Sequence, residues 1–223
     1  ELMRPGRATL VSLVPTTLAR LLDAGLDSPP DLRTVLLGGA PIPSGLLDRA
    51  AAAGVHVTTT YGMTEACSQV ATDGWPLFCT KVDLAADGEV LVSGPTVSPD
   101  SGPVLHTGDL GVWDADGRLR ITGRKVDTII TGGENVSPAE VEAVLERHPA
   151  VLEAAVVGVP DPVWGEAVCA VVRLRETAGP AEIEGWSRDH LAPHQRPKRF
   201  VVTEAPLPRT GSGKLLRRSI QLP

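Results

Sequence analysis

GRKVDTIITGGENVSPAEVE, running from Gly123 to Glu142, places a charged opening, a short apolar run, a glycine pair and a helix start in immediate succession. Arg124, Lys125 and Asp127 lead into Ile129 and Ile130, and Gly132 and Gly133 follow them. A helix is predicted next: Ser137 suits the N-cap, Pro138 the first turn, and Glu140 completes a capping box. Val141, Val144 and Leu145 fall on one face as its buried stripe, and Pro149 stops it. The stretch reads as a junction between two architectures, with the boundary at Arg124/Lys125.

Upstream, ATLVSLV followed by PTTLARLLDAG reads as a strand and a helix, with Pro15 near the first helical turn and Gly25 beyond the last. LRTVLLGGAPIPSGLLDRAAAAG repeats that plan, and VHVTTTYGMTE is a third strand entering a polar loop. Buried strands separated by helices predict an α/β fold with a mostly parallel sheet, whose ligand loops lie at the carboxyl ends of the strands. GGAP and YGMTE would open on one such edge. After Gly74, DGEVLVSG and GVWDADGRLRITGR are short strands around Asp-Gly turns, so residues 1–124 close with a β-rich part. Downstream, VLEAAVVGV, AVCAVVRLR and RFVVTEA are strands and GPAEIEGWSRDHL a helix. Residues 125–223 can therefore form a small α+β domain.

Composition narrows the chemistry. With 223 residues, 42% of them hydrophobic, the chain can bury a substantial core. A formal charge of −6 argues against a nucleic-acid partner, yet from Arg196 onward seven Lys or Arg residues face only Glu204. That tail reads as an attractor for a small phosphorylated ligand, a solvated basic face being the plainer alternative. Cys67, Cys79 and Cys169 are too scattered for a zinc site or disulfide framework. There is no HExxH, and Pro193 separates His190 from His194. Without a long apolar run or a signal peptide, a soluble cytoplasmic protein that spans no membrane is expected. The chain opens on ELMRPGR without an initiator methionine and soon enters a strand, as though starting inside a domain.

Several loops carry chemistry. PRTGSGK ends in Lys214, but it is no nucleotide P-loop: GxxxxGK[ST] needs glycine at 208 and a hydroxyl at 215, where Pro208 and Leu215 stand. Gly38 and Gly39 let a flat ring approach the backbone, or simply make a tight turn. Tyr61, Gly62, Thr64 and Glu65 gather a ring, a permissive joint, a hydroxyl and a carboxylate, a set able to hold a purine, a phosphate and Mg²⁺. Thr64 and Glu65 could equally cap a helix. Asp109, in HTGD, stands where a carboxylate can accept hydrogen bonds from a sugar diol.

Taken in order, LLGGAPIP, YGMTE, TGD, GRKVDTIITGGENVSPAEVE and PRTGSGK resemble the carboxyl-terminal part of the acyl-adenylate-forming superfamily of acyl-CoA synthetases, adenylation domains and luciferases. The resemblance spans nearly the whole chain. It implies that Gly38, Gly39, Ala40, Pro41, Tyr61 and Gly62 border the adenine, and that Thr64 and Glu65 meet phosphate and Mg²⁺, Glu65 as the metal carboxylate. Asp109 and Arg124 would hold the ribose. Lys125 would be the hinge between the end of a large ATP- and acyl-binding domain, 1–124, and a mobile cap, 125–223. Lys214 would reach the acyl carboxylate and α-phosphate during adenylation, with TGSG giving it reach. Gly132, Gly133 and Glu134 would line the thiol tunnel in a second cap position, and the loop around Trp164 to Glu166 resembles another part of that cap.

The implied activity is that of an ATP-dependent acid–CoA ligase, with ATP, Mg²⁺ and CoA as cofactors or co-substrates. A narrower likeness points to a small aromatic dicarboxylate of menaquinone biosynthesis, with Ser68 and Thr72 as contacts to it. A ligase for another aryl or short-chain carboxylic acid is the alternative, and a non-catalytic nucleotide-binding fragment a third. A homodimer is compatible with the resemblance. Two departures stand out. The Ser/Thr/Gly-rich loop for the β- and γ-phosphates is absent, so this chain alone is not expected to be a competent enzyme, and the segment before TGD is short.

Overall fold

A computed structural model describes residues 8–27, 30–43, 45–175, 179–211, 213–220 and 222. They divide into two compact units, the first running to Ile121 and including Gly211 and Gly213, the second comprising Thr122–Thr210 and the described residues from Lys214 on.

The first unit opens with β1 (Leu10–Leu13), α1 (Pro15–Asp23), β2 (Thr34–Leu37), α2 (Leu46–Ala52) and β3 (Val57–Met63). The three strands pair in parallel, Leu13 beside Leu37 and Leu37 beside Thr59. Pro15 occupies the start of α1, where its missing N–H has no helical partner to lose, and Gly25 follows the helix with φ +79°. Leu18, Val35, Leu37, Leu46 and Ala50 are buried together, each helix laying its apolar face on the sheet. β3 outruns its parallel partner. Its carboxyl half pairs antiparallel with β4 (Ser68–Thr72), which in turn pairs with β5 (Trp75–Pro76). The sheet is thus mixed, order β1-β2-β3-β4-β5.

The β-rich part is a four-stranded sheet of β6 (Lys81–Leu84), β7 (Glu89–Ser93), β8 (Leu105–Trp113) and β9 (Leu119–Arg124), in that order. The Asp-Gly turn between β8 and β9 closes as the sequence predicts: Asp114 Oδ1 accepts the Asp116 and Arg118 N–H groups, and Gly117 adopts φ +81°.

In the second unit, β10 (Ile129–Thr131) and β11 (Glu134–Val136) form a hairpin, followed by α3 (Pro138–Leu145). A long antiparallel pair, β12 (Val151–Asp161) and β13 (Gly165–Leu174), makes the centre of the sheet. α4 (Pro180–His190) then leads to β14 (Arg199–Val202), which runs parallel to β13. Val141, Leu145, Val156, Val168, Ala170, Val172 and Ile183 are fully buried where both helices cover one face. The N-terminus of α3 differs from expectation. Ser137 is the N-cap residue, but its hydroxyl donates to the Thr122 carbonyl at 2.6 Å and makes no cap bond. The capping box does not form, because a longer-range acceptor takes the hydroxyl that would close it. No described helix is long and apolar enough to cross a membrane.

Candidate active site

In the first unit, the end of β3 organises the site. Tyr61 donates its phenolic hydrogen to Asp109 Oδ2 at 2.8 Å, so two residues expected to serve adenine and ribose are bonded directly to each other. Asp109 is buried. Its backbone N–H donates to Thr107 Oγ1 at 3.1 Å, and that hydroxyl donates to the Val90 carbonyl at 2.8 Å. Glu89, also buried, accepts the Gly108 N–H at 3.0 Å. Glu89 was not singled out from sequence; it anchors the TGD turn from the neighbouring strand.

Gly62 earns its place by packing and not by torsion. A Cβ there would collide with the Ser68 carbonyl oxygen across the β3–β4 pair, so no other residue fits without moving that strand. Ser68 itself adopts φ 91° and follows Cys67 at φ 52°, which turns the chain sharply behind the 3-10 turn Thr64–Ala66. Thr64, Glu65 and Ser68 are exposed, and Thr72 is half-buried. Gly38 follows β2, where a Cβ would collide with Thr60 Oγ1; Gly39, Ala40 and Pro41 continue the loop.

The Mg²⁺ reading fits these residues. Glu65 presents an exposed carboxylate, and its main-chain carbonyl accepts the Ser98 N–H at 2.8 Å. No group of three or more His, Cys, Asp or Glu capable of holding a metal occurs among the described residues. A single carboxylate suits Mg²⁺ that keeps its waters and is shared with substrate phosphates.

In the second unit, Gly132 and Gly133 form the two-residue turn between β10 and β11 with φ +59° and +85°. Positive φ at both central positions is what a tight hairpin following the right-handed strand twist demands. The Gly132 N–H donates to the Trp164 carbonyl at 2.8 Å, and Asp161 Oδ1 accepts the Val163 and Trp164 N–H groups. Glu166 accepts the Ile130 N–H at 2.8 Å. The GGEN loop and the Trp164 loop are therefore one assembly, with Glu134 exposed beside the turn. Lys198 Nζ lies 4.4 Å from the Trp164 ring centroid. Next to it, Glu184, Arg188, Arg196 and Lys198 line a cavity of about 200 Å³ together with Ser187 and Phe200.

Arg124 ends β9, and the exposed Lys125 begins the 3-10 turn Lys125–Asp127. Lys214 is exposed, its N–H donating to Thr210 Oγ1 at 3.0 Å while its carbonyl accepts the Thr210 N–H at 2.8 Å. Arg209 pairs with Leu215 across the same loop, so the lysine stands on a closed hairpin. Ser212, in TGSG, lies outside the described residues. The basic tail is less available to ligands than its charge count implies. Arg217 is bonded to Glu142 and Asp127, Arg209 to Glu153, and the Arg196 Nε–H to the Leu191 carbonyl.

Two carboxylates in this unit are displaced from their ordinary range. Burial lifts the Glu142 pKa, against the pull of Arg217, and burial with the neighbouring Glu142 charge pushes Glu146 up to about 7.

Fold and loops together define a class, and the chain belongs to it: the AMP-binding enzyme family. The AMP-binding enzyme family model matches residues 1–102, and that for the AMP-binding enzyme C-terminal domain matches residues 140–214. Among particular relatives, the chain is 37% identical over 246 residues to the 2-succinylbenzoate–CoA ligase of Bacillus subtilis, covering 96% of this chain and 50% of the relative. It is 34% identical to that of Listeria monocytogenes, over 99% of this chain and 52% of the relative. The chain thus spans about half the length of the curated relatives it matches. Among solved structures, o-succinylbenzoate–CoA synthetase of B. subtilis in complex with the acyl-adenylate intermediate superposes with a TM-score of 0.87, covering 98% of this chain and 52% of that one, at 37% identity. The amide bond synthetase McbA of Marinactinospora thermotolerans also gives 0.87, covering 97% and 52%, at 33% identity.

Proposed function

We propose that this chain is part of an AMP-forming acid–CoA ligase whose acid is 2-succinylbenzoate. The observation that carries the reading is the Tyr61–Asp109 hydrogen bond, which builds one rigid edge for a nucleoside out of two loops of the family pattern. In the first half-reaction a carboxylate oxygen attacks the α-phosphorus of ATP and the bond to pyrophosphate breaks, giving the acyl-adenylate. In the second the CoA thiolate attacks the acyl carbon and AMP leaves.

Each group has a role in this scheme. Gly38 to Pro41, Tyr61 and Gly62 border the adenine, and Asp109 and Arg124 hold the ribose hydroxyls. Thr64 donates to phosphate, and Glu65 would hold Mg²⁺, which supplies neutralisation of phosphate charge when bound. Lys214 offsets the negative charge that gathers on carboxylate and α-phosphate, an electrostatic role that a cation delivered by a closing cap performs well. Residues 1–124 and 125–223 are the two domains, with Lys125 at the hinge. The Gly132–Gly133–Glu134 turn and Trp164 guide the thiol, and the cations Arg188, Arg196 and Lys198 beside them favour the phosphates of CoA. Ser68 and Thr72 face the acid. A cytoplasmic location and a homodimer complete the reading.

Because the chain spans about half the length of its curated relatives, the test joins residues 1–223 to the other half of the B. subtilis relative. Mass spectrometry then follows products from ATP, Mg²⁺ and either 2-succinylbenzoate or a panel of aryl and short-chain acids, with CoA or an amine as acceptor. The likeness to an amide bond synthetase makes the acceptor arm informative. Succinylbenzoyl-CoA is the expected product. Faster turnover of another acid would overturn the substrate, amide without thioester the acceptor, and nucleotide binding without any adenylate the enzyme reading.

A further inference from the structure

Arg217 sits at the centre of a charge network in the second unit. Its Nε–H and Nη2–H donate to the two carboxylate oxygens of Glu142 at 3.0 and 2.6 Å, and its Nη1–H donates to Asp127 Oδ2 at 2.9 Å. Glu142 also accepts the N–H of the fully buried Val156, which fixes it to β12. All three side chains are largely buried, with relative exposures of 19% for Arg217, 23% for Asp127 and 11% for Glu142. A planar guanidinium used on three of its N–H groups sets direction as well as charge.

The positions of its partners give the network its meaning. Asp127 belongs to the same 3-10 turn as Lys125, while Arg217 lies immediately beyond the hairpin that carries Lys214. On the other side of that hairpin, Glu153 accepts from Arg209 Nε and from the Leu207 N–H, both at 3.3 Å. The base of the Lys214 loop is thus held at both ends by carboxylates of the sheet and helix. The Arg217 end also reaches the turn that carries Lys125.

We propose that Arg217 is a positioning residue that couples the Lys125–Asp127 turn to the Lys214 hairpin, so that rotation at the turn is delivered to the lysine without slack. This rests on the reading of Lys125 as hinge and Lys214 as the adenylation lysine. Leu207, Leu215 and Ile220 pack on Ala155 and Val171, so the tail has an apolar anchor independent of the arginine. If the ion pair were merely stabilising, its removal would lower stability without linking the two segments.

The experiment is amide hydrogen exchange on the 223-residue chain, read at the Thr128, Lys214 and Leu216 N–H groups. Their acceptors are the Lys125 carbonyl, Thr210 Oγ1 and the Pro208 carbonyl. Asp127→Asn is the decisive variant, because it weakens the turn's end of the network, leaves Arg217 on Glu142 and is far milder than loss of the arginine. Coupling predicts faster exchange, by roughly 3- to 30-fold, at Lys214 and Leu216 as well as at Thr128, with β13 amides unchanged. Acceleration confined to Thr128 would overturn the proposal. In the joined enzyme, Arg217→Lys should lower kcat for adenylation about tenfold, change the KM for ATP less than about twofold, and spare thioester formation from supplied acyl-adenylate. Equal loss of both half-reactions would also overturn it. Should Lys214→Ala leave adenylation untouched while the exchange coupling holds, the catalytic reading fails and the mechanical link stands.

Discussion

Tyr61 and Asp109, 48 residues apart in sequence, are joined by a 2.8 Å hydrogen bond from phenol to carboxylate. The bond orients the ring and holds the carboxylate at the same time. Tyr61→Phe keeps the ring and deletes the donor to a buried charged acceptor. The expected result is a stability loss of about 1–3 kcal/mol in urea unfolding. AMP affinity should fall with it, measured by calorimetry on the joined enzyme. Unchanged affinity would mean that the bond does not organise the nucleoside edge.

The hinge assignment can be tested at Lys125. Arg124 has φ −110° and ψ 135°, the extended backbone that a residue preceding proline requires. The residue before position 125 thus already has the backbone a proline there demands, and Lys125→Pro should stiffen one cap position. Adenylate formation is expected to survive better than thioester formation, each half-reaction being timed separately. Equal loss of both contradicts a hinge at this residue.

Gly132 offers a separation in the same direction. An alanine Cβ would lie 2.8 Å from Trp164 Cε3 and would have to adopt φ +59°. Gly132→Ala should cost about 1–2 kcal/mol in stability and slow thioester formation more than adenylation. Adding Trp164→Ala removes the collision but not the torsional strain, so only partial recovery is expected. Full recovery would show that strain contributes nothing.

These cases show what the sequence makes legible. The strand–helix–strand order, the Asp-Gly hairpin and the glycine pairs are local, because each depends on residues within a turn or two of one another. Glu142 was hidden by its neighbours: the stripe Val141, Val144 and Leu145 marks the buried face of α3, yet Glu142 is buried more deeply than Val144. Its partner Arg217 is 75 residues away and Asp127 is 90 from Arg217, distances over which no periodicity reports pairing. The same long-range partnering explains why the basic tail overstates free charge. Ser137 failed as a capping hydroxyl for a similar reason, since the Thr122 carbonyl competes for it.

Glu146 makes stability depend on pH. Its folded pKa of about 7 lies above the ordinary carboxylate value of 4.5, so the folded state holds a proton that the unfolded state has released between those values. Stability from this group is therefore present below about pH 4.5 and is lost as pH rises through 7. Glu146→Gln should remove that slope and raise stability at pH 8 by about 1–3 kcal/mol, as read by urea midpoints at pH 5 and pH 8. A slope identical to that of the parent chain would assign the pH dependence elsewhere.

In the proposed scheme Lys214 serves adenylation and not thioester formation. In the joined enzyme, Lys214→Ala is assayed twice: for pyrophosphate release from ATP and 2-succinylbenzoate, and for thioester formation from supplied acyl-adenylate and CoA. A loss of roughly 10²- to 10³-fold is expected in the first, with the second within a few-fold of the parent. Undiminished pyrophosphate release would contradict it.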